Sequence, residues 1–328
     1  MTVLVTGGTG FIGGRLAQRC LKQGMKVRVF AQVNTEAQSD MKDQLDAAGA
    51  DICLGSITDD DARLGLCDGV EVVYHLAAAQ HEANVPDEHF WRVNTDGTKA
   101  LLDEAVAAGV QRFVFASTIG VYGEGGTNLD ERSVTNPTSA YGASKLAAEG
   151  HVLGAASEIH STVIRVSETY GPGDRRLLKL FRAIGKERFR MVGAGSNLHH
   201  MIFVDDLIDA FLLASGTEHA RGEVFAIAGS RPVTTLELAE AIANSLGKGL
   251  SSRHIPIAAI GAVAATLETL LRPLGIQPPV HRRSVDFFTK TYAFSTERAS
   301  ALLGFEPVTD LQSGVEATRD WYRQNHLL

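Results

Sequence analysis

Tyr141 and Lys145 stand four positions apart in the alanine-rich run SAYGASKLAAEG, residues 139–150. Four residues make about one helical turn, so a helix here projects both side chains from one face. A cation beside a phenol stabilises the phenolate and draws the tyrosine toward a range useful for proton transfer. Amphipathic helices also carry such pairs by chance, so the pair alone leaves both readings open. A second candidate is the loop TGGTGFIGG, in which Gly7, Gly10 and Gly13 recur every third residue. Such glycines allow a tight turn and close backbone approach to a pyrophosphate at a helix N-terminus. A tight strand-to-helix turn that binds nothing is the alternative.

Both candidates must be positioned by the surrounding elements. TVLVTG, KVRVFA, ADICLG, VEVVYHLA, QRFVFAST and STVIRV alternate with helix-like segments through the first half of the chain. Val-, Ile- and Phe-rich runs separated by helical patterns predict βαβ units, hence an α/β fold with a doubly wound, Rossmann-like parallel sheet. After Arg165 the rhythm changes. LLKLFRAI and MIFVDDLIDAFLLA read as helices and EVFAIAG as a strand. TTLELAEAIANSLGK reads as a helix capped by Thr234 or Thr235, with Glu237 in its first turn and Gly247 near its stop. The pattern predicts a dinucleotide-binding domain of residues 1–166 plus about 200–230. A smaller C-terminal α/β substrate lobe takes about 167–199 plus 231–328.

Composition narrows the class. The 328 residues are 45% hydrophobic and 21% charged, as in a globular protein, and the net charge of -7 argues against nucleic acid as a partner. Cys20, Cys53 and Cys67 form no CxxC pair and read as reduced thiols in a cytoplasmic setting. The N-terminus enters a strand at once, which predicts no secretory signal. The apolar stretch from Ile255 to Gly275 is broken by Glu268 and Arg272, so a core or lid helix is expected rather than a membrane span, with a membrane-surface contact the minor reading. The histidines, including His81, His199, His200 and His281, match no metal-ligand spacing, so no metal is expected.

The glycine spacing together with YGASK resembles the extended short-chain dehydrogenase/reductase family, in its NAD-dependent epimerase/dehydratase group. The resemblance continues in order through YHLAA (74–78), NTDGT (94–98), ASTIGVYG (116–123), YGPGD (170–174) and FVDDLIDA (203–210). It implies that Tyr141 is the general acid/base, that Lys145 lowers its pKa and holds the nicotinamide ribose, and that Thr118 orients the substrate hydroxyl, with Ser117 beside it. It further implies cofactor contacts from Gly7, Thr9, Gly10, Phe11, Ile12, Ala31, Gln32, Ser56, Ile57, Leu76, Ala77, Ala78, Asn94, Ser117, Tyr141 and Lys145. His75 is expected as a cofactor-side wall. The family also implies a homodimer through the helix after Tyr141, with packing of its alanines on the protein's own sheet as the alternative.

Three departures from the family pattern matter. Ala31 and Gln32 replace the acidic residue that favours NAD, and Arg15 is placed to reach a 2′-phosphate, so the cofactor is NAD or NADP with a slight lean to NADP. Ser56 replaces an aspartate that meets adenine. Glu168 replaces an asparagine that touches the diphosphate of nucleotide sugars, and a carboxylate there opposes that pose. Arg175 and Arg176 are the cations expected near the substrate. Thr118 is followed by Ile119 and Gly120 rather than an Asp-Glu pair, which demotes dehydration. The expected function is an NAD(P)-dependent oxidoreductase acting on a small-molecule secondary alcohol or ketone. A UDP-sugar 4-epimerase using bound NAD and a non-catalytic NAD(P) sensor are the alternatives.

Overall fold

Side chains alternate along the first strand, β1 (Thr2–Thr6): Val3 and Val5 enter one hydrophobic core and Leu4 enters another. The computed structural model describes residues 1–80, 85–260 and 282–328. β2 (Lys26–Ala31), β3 (Asp51–Leu54), β4 (Val72–His75), β5 (Arg112–Thr118), β6 (His160–Val166) and β7 (Glu223–Ile227) join β1 in one sheet. Its spatial order is β7-β6-β5-β4-β1-β2-β3, and every pairing is parallel. The order reverses beside β1 and β4, the switch point at which open α/β sheets form a crevice at their carboxyl ends.

Helices cover both faces, as a parallel sheet requires. On one face Leu16, Ala17 and Cys20 of α1 (Phe11–Lys22) pack with Leu45 of α2 (Glu36–Ala47). On the other, Leu101, Leu102 and Ala105 of α3 (Gly97–Ala107) pack with Ala148 and Val152 of α4 (Ala140–Gly154). A third core joins Phe181 and Ile184 of α5 (Leu178–Gly185) to Leu238 and Ile242 of α7 (Thr235–Leu246) and to Val315 and Tyr322 of α8 (Leu311–Gln324). Between α5 and α7 in the chain lies α6 (Val204–Gly216), whose Leu207, Ile208 and Phe211 cover the α1 face of the sheet.

Two expectations change. MIFVDDLIDAFLLA is not helical throughout: Ile202–Phe203 pairs as a short parallel strand with Thr169–Tyr170 before α6 begins. The segment around Ala299, Leu303 and Phe305, expected in the substrate lobe, packs into the sheet core with α6. The α7 signals hold. Thr234 and Glu237 form a capping box, and Gly247 ends the helix in the left-handed conformation at φ 66°. The three cysteines are free thiols, and burial pushes Cys20 and Cys67 up to about 12. Most of the apolar 255–275 stretch, together with His81 and His281, lies outside the described residues.

Candidate active site

Gly7 turns with φ +68°, and a Cβ on it would stand 2.9 Å from the Ala77 amide nitrogen. A Cβ on Gly13 would stand 2.3 Å from the Gly7 carbonyl oxygen. The loop therefore closes only with glycine at these positions. It leads into α1, whose N-cap Gly10 supplies no side-chain cap and whose first turn has no acidic residue. The first amides of α1 face a cavity of about 730 Å³ with the helix dipole behind them. Backbone amides, close glycine approach and room suit the pyrophosphate of a dinucleotide.

The cavity brings together Gly7, Thr9, Gly10, Phe11, Ile12, Leu76, Ala78, Ser117, Thr118, Tyr141, Lys145, Glu168, Arg175 and Arg176 from the expected set. Ala31, Gln32, Ser56, Ile57, Ala77 and Asn94 are not on its wall. Ala31 and Ile57 are buried in the sheet cores, and Ser56 bonds Thr58 at 2.8 Å. Asn94 is fully buried and spans Ala79 and Ser144, bonding the Ala79 amide at 2.9 Å, its carbonyl at 3.0 Å and the Ser144 hydroxyl at 3.0 Å. It thereby ties the end of β4 to α4, the helix that carries Tyr141 and Lys145.

His75 is not a cofactor-side wall. It is fully buried between Thr6 Oγ1 at 2.6 Å and Thr98 Oγ1 at 2.9 Å, and burial drives its pKa well below the usual histidine range. The neutral ring acts as a rivet between β1, β4 and α3. Arg15 lines the same cavity, and its guanidinium forms two 2.7 Å bonds to the Asp205 carboxylate. The feature that tilted the cofactor toward NADP is thus already paired.

On α4, Ser139 caps the helix through the Gly142 amide, and Tyr141 shares the cavity wall with Thr118, whose hydroxyl accepts the Gly120 amide at 3.0 Å. Burial pushes the phenol up to about 12, while Thr118 and the Arg176 charge pull the other way. Lys145, one turn on, is 1% exposed, and its Nζ lies 4.0 Å from the centre of the Phe115 ring. Burial lowers the lysine to about 7, against the opposing charge of Glu149. Ser117, the rival of Thr118, donates its hydroxyl to Glu149, which also pairs with Arg165 at 2.8 Å. The two neighbouring hydroxyls are thereby assigned different partners.

An adjoining pocket of about 340 Å³ shares Gln80, Tyr141 and Glu168 with the larger cavity. Phe90, Phe287 and Tyr292 give it aromatic walls, and His199 and Lys290 also line it. Arg175 and Arg176 stay on the larger cavity alone, and Arg176 bonds Asp174 and the Thr169 carbonyl. Sequence reasoning missed His199, Phe287, Lys290 and Tyr292 as site residues. Nothing in their spacing links them to Tyr141, because only the fold brings these distant segments together. Among the described residues no cluster of metal-ligating side chains occurs, and no helix is long and apolar enough to cross a membrane.

The profile of the NAD dependent epimerase/dehydratase family matches residues 3–228. A 3 beta-hydroxysteroid dehydrogenase/Delta 5-->4-isomerase of Mycobacterium tuberculosis is 29% identical, over 98% of this chain and 90% of the relative. A 4-hydroxy-2-methyl-3-oxo-4-farnesyl-3,4-dihydroquinoline-1-oxide ketoreductase of Stigmatella aurantiaca is 30% identical, over 97% of this chain and 96% of the relative. The structure of UDP-glucose 4-epimerase from Thermotoga maritima superposes with a TM-score of 0.81 at 24% identity, over 99% of this chain and 100% of that one. MoeE5 in complex with UDP-glucuronic acid and NAD superposes with a TM-score of 0.77 at 25% identity, over the same shares.

Proposed function

This chain belongs to the NAD dependent epimerase/dehydratase family, of extended short-chain dehydrogenase/reductase type, and from that premise we propose that it oxidises a secondary alcohol or reduces the corresponding ketone. The observation that carries the reading is that one cavity wall brings Thr118, Tyr141 and Lys145 together, with Lys145 buried one turn along the helix from Tyr141. In the oxidation direction the Tyr141 oxygen accepts the substrate hydroxyl proton. In reduction it returns that proton to the ketone oxygen. Thr118 orients the reacting oxygen, and Lys145, while protonated, and the Arg176 charge favour phenolate as the proton arrives or leaves. The nicotinamide, when bound, supplies or accepts the hydride.

The glycine loop and the α1 N-terminus would hold the pyrophosphate, with Lys145 and Tyr141 toward the nicotinamide ribose. In this reading residues 1–166 plus about 200–230, with the segment around Ala299–Phe305 packed on their sheet, form the nucleotide-binding domain, and the rest of the lobe shapes the substrate pocket. The family makes the cofactor NAD-type. Ala31 and Gln32 place no acid against a 2′-phosphate, while Arg15 is held by Asp205. We also propose a homodimer. Ala148 and Val152 of α4 are spent on the protein's own core, so only its outer face, including Gly150 and His151, is left for a partner. Light scattering showing a monomer at micromolar concentration sinks the dimer.

Tyr141→Phe decides the reading. Turnover of a panel of alcohols and ketones, followed by nicotinamide absorbance, is expected to fall by about 10²–10⁴-fold while nucleotide binding persists. Unchanged turnover removes Tyr141 as the acid/base, and an inert wild type favours a sensor. The MoeE5 complex supports a second reading, a UDP-sugar 4-epimerase with NAD retained through purification. Glu168 argues against it, because a carboxylate in the pocket opposes a diphosphate.

A further inference from the structure

Cations gather where α5 and α7 end. Residues 186–190 read KERFR and residues 248–253 read KGLSSR, so Lys186, Arg188, Arg190, Lys248 and Arg253 stand with one acid, Glu187. The fold joins the two segments. Lys248 Nζ lies 2.9 Å from Glu187 Oε1. Met191–Val192 pairs in parallel with His254–Ile255, so Arg190 and Arg253 enter the two strands at matching positions. Arg190 is pinned by the carbonyls of Glu187 at 3.0 Å and Phe189 at 2.7 Å. Lys186, Arg188 and Arg253 are exposed, and their side chains make no hydrogen bond or ion pair among the described residues. This corner is positive on a chain whose net charge is -7.

The same corner exposes apolar groups. The Gly193 amide bonds the Ile255 carbonyl at 2.9 Å, and a Cβ on Gly193 would stand 2.9 Å from Ile257 Cδ1. Ile257 therefore sits against the turn that follows Arg190, yet it is 44% exposed. Pro256, Ala258 and Ala259 are exposed beside it, and the Ala259 and Ile260 amides close a helical turn on the Pro256 carbonyl. Phe181 and Ile184 of α5 are spent on the lobe core, so α5 itself offers this surface no apolar face. Unpaired cations beside an exposed apolar turn match a lipid surface, where anionic headgroups meet the cations and the acyl boundary takes the apolar turn. A nucleic acid would engage the cations and leave Ile257 in water.

We propose that this corner docks the protein on an anionic lipid surface, with the cations over the headgroups and the Pro256–Ala259 turn at the acyl boundary. The contact is peripheral, since no helix among the described residues is long and apolar enough to span a membrane. The negative charge carried elsewhere on the chain turns the other faces away from the same surface, which sets the orientation. The proposal does not rest on the oxidoreductase reading.

Co-sedimentation of the full chain with vesicles tests the contact without reading turnover, so failure of either reading leaves the other standing. The protein is expected to pellet with phosphatidylcholine vesicles carrying about 30 mol% phosphatidylserine in about 0.1 M salt, and to bind pure phosphatidylcholine at least about tenfold more weakly. Replacing three cations together, Lys186→Gln, Arg188→Gln and Arg253→Gln, is expected to lower affinity for the anionic vesicles by about 10²-fold, or about fivefold per cation. Ile257→Ser is expected to lower it by about fivefold and to leave its salt dependence unchanged. Thermal melts within a few degrees of wild type confirm folded variants. If the triple variant fails to fold, Lys186→Gln with Arg188→Gln carries an expected loss of about 25-fold. Failure of the wild type to pellet, equal binding to both kinds of vesicle, or unchanged affinity in the charge variant overturns the proposal. So does binding to duplex DNA, but not to vesicles, at the same salt.

Discussion

The Ser117 hydroxyl donates to Glu149, whereas the hydroxyl of the adjacent Thr118 accepts the Gly120 amide at 3.0 Å and lies on the cavity wall with Tyr141. Successive strand residues face opposite ways, so one hydroxyl of this pair reaches a buried ion pair and the other stays beside Tyr141, the proposed acid/base. Thr118→Ala is expected to lower kcat/KM by about 10²-fold with little change in melting temperature. Ser117→Ala should do the reverse, costing about 1.5–3 kcal/mol of stability through the lost bond to a charged group while kcat stays close to wild type. Steady-state kinetics and thermal melts on the two variants check the division, and matching kinetic losses would contradict it.

Lys145 links stability to pH. Its ordinary value in an unfolded chain is about 10.4, and burial lowers it to about 7 in the folded protein. Between those values the unfolded chain holds a proton that the folded protein releases, so stability rises with pH by up to about 1.4 kcal/mol per unit. Below pH 7 both states hold it, and the full cost of the buried charge is present. Lys145→Met removes that cost, so its gain in melting temperature over wild type should be larger at pH 6 than at pH 9. A gain independent of pH would show that the lysine is not titrating in this range.

The Asp205 carboxylate holds Nε and Nη2 of Arg15, which opposes a role for this guanidinium in cofactor choice. Arg15→Ala should leave the ratio of NAD to NADP dissociation constants within about twofold. A selective loss of NADP affinity would return Arg15 to the role of a 2′-phosphate ligand.

Gly13 is the least replaceable of the three loop glycines. A Cβ there falls 2.3 Å from the Gly7 carbonyl, whereas one on Gly10 falls 3.2 Å from the same oxygen. Gly13→Ala is expected to cost about 1–3 kcal/mol and to abolish measurable nucleotide binding, with Gly10→Ala the milder change. Fluorescence titration with reduced nicotinamide nucleotide ranks the two, and equal tolerance would mean that the loop shifts freely.

The strands that build the main sheet were legible because each is a short Val-, Ile- or Phe-rich run between turns. Ile202–Phe203 was not, because a two-residue strand that runs straight into a helix leaves no period of its own. His75 was misread for a related reason. The YHLAA motif places it beside a candidate site, but side chains alternate along a strand, and His75 points into the sheet core.

By itself the sequence determined the family and its scaffold. The glycine triplet, the Tyr141–Lys145 spacing and the βαβ rhythm are local features, each confined to one turn or one repeat unit. Tertiary structure alone decided the partners. It paired Arg15 with Asp205 across 190 residues, turned Ser117 toward Glu149, brought Thr118 and Tyr141 to one cavity wall, and set His199 against Glu168 across 31 residues. Which charge meets which in a low-dielectric pocket depends on distance in space, and spacing along the chain encodes that distance only within a single helix or strand.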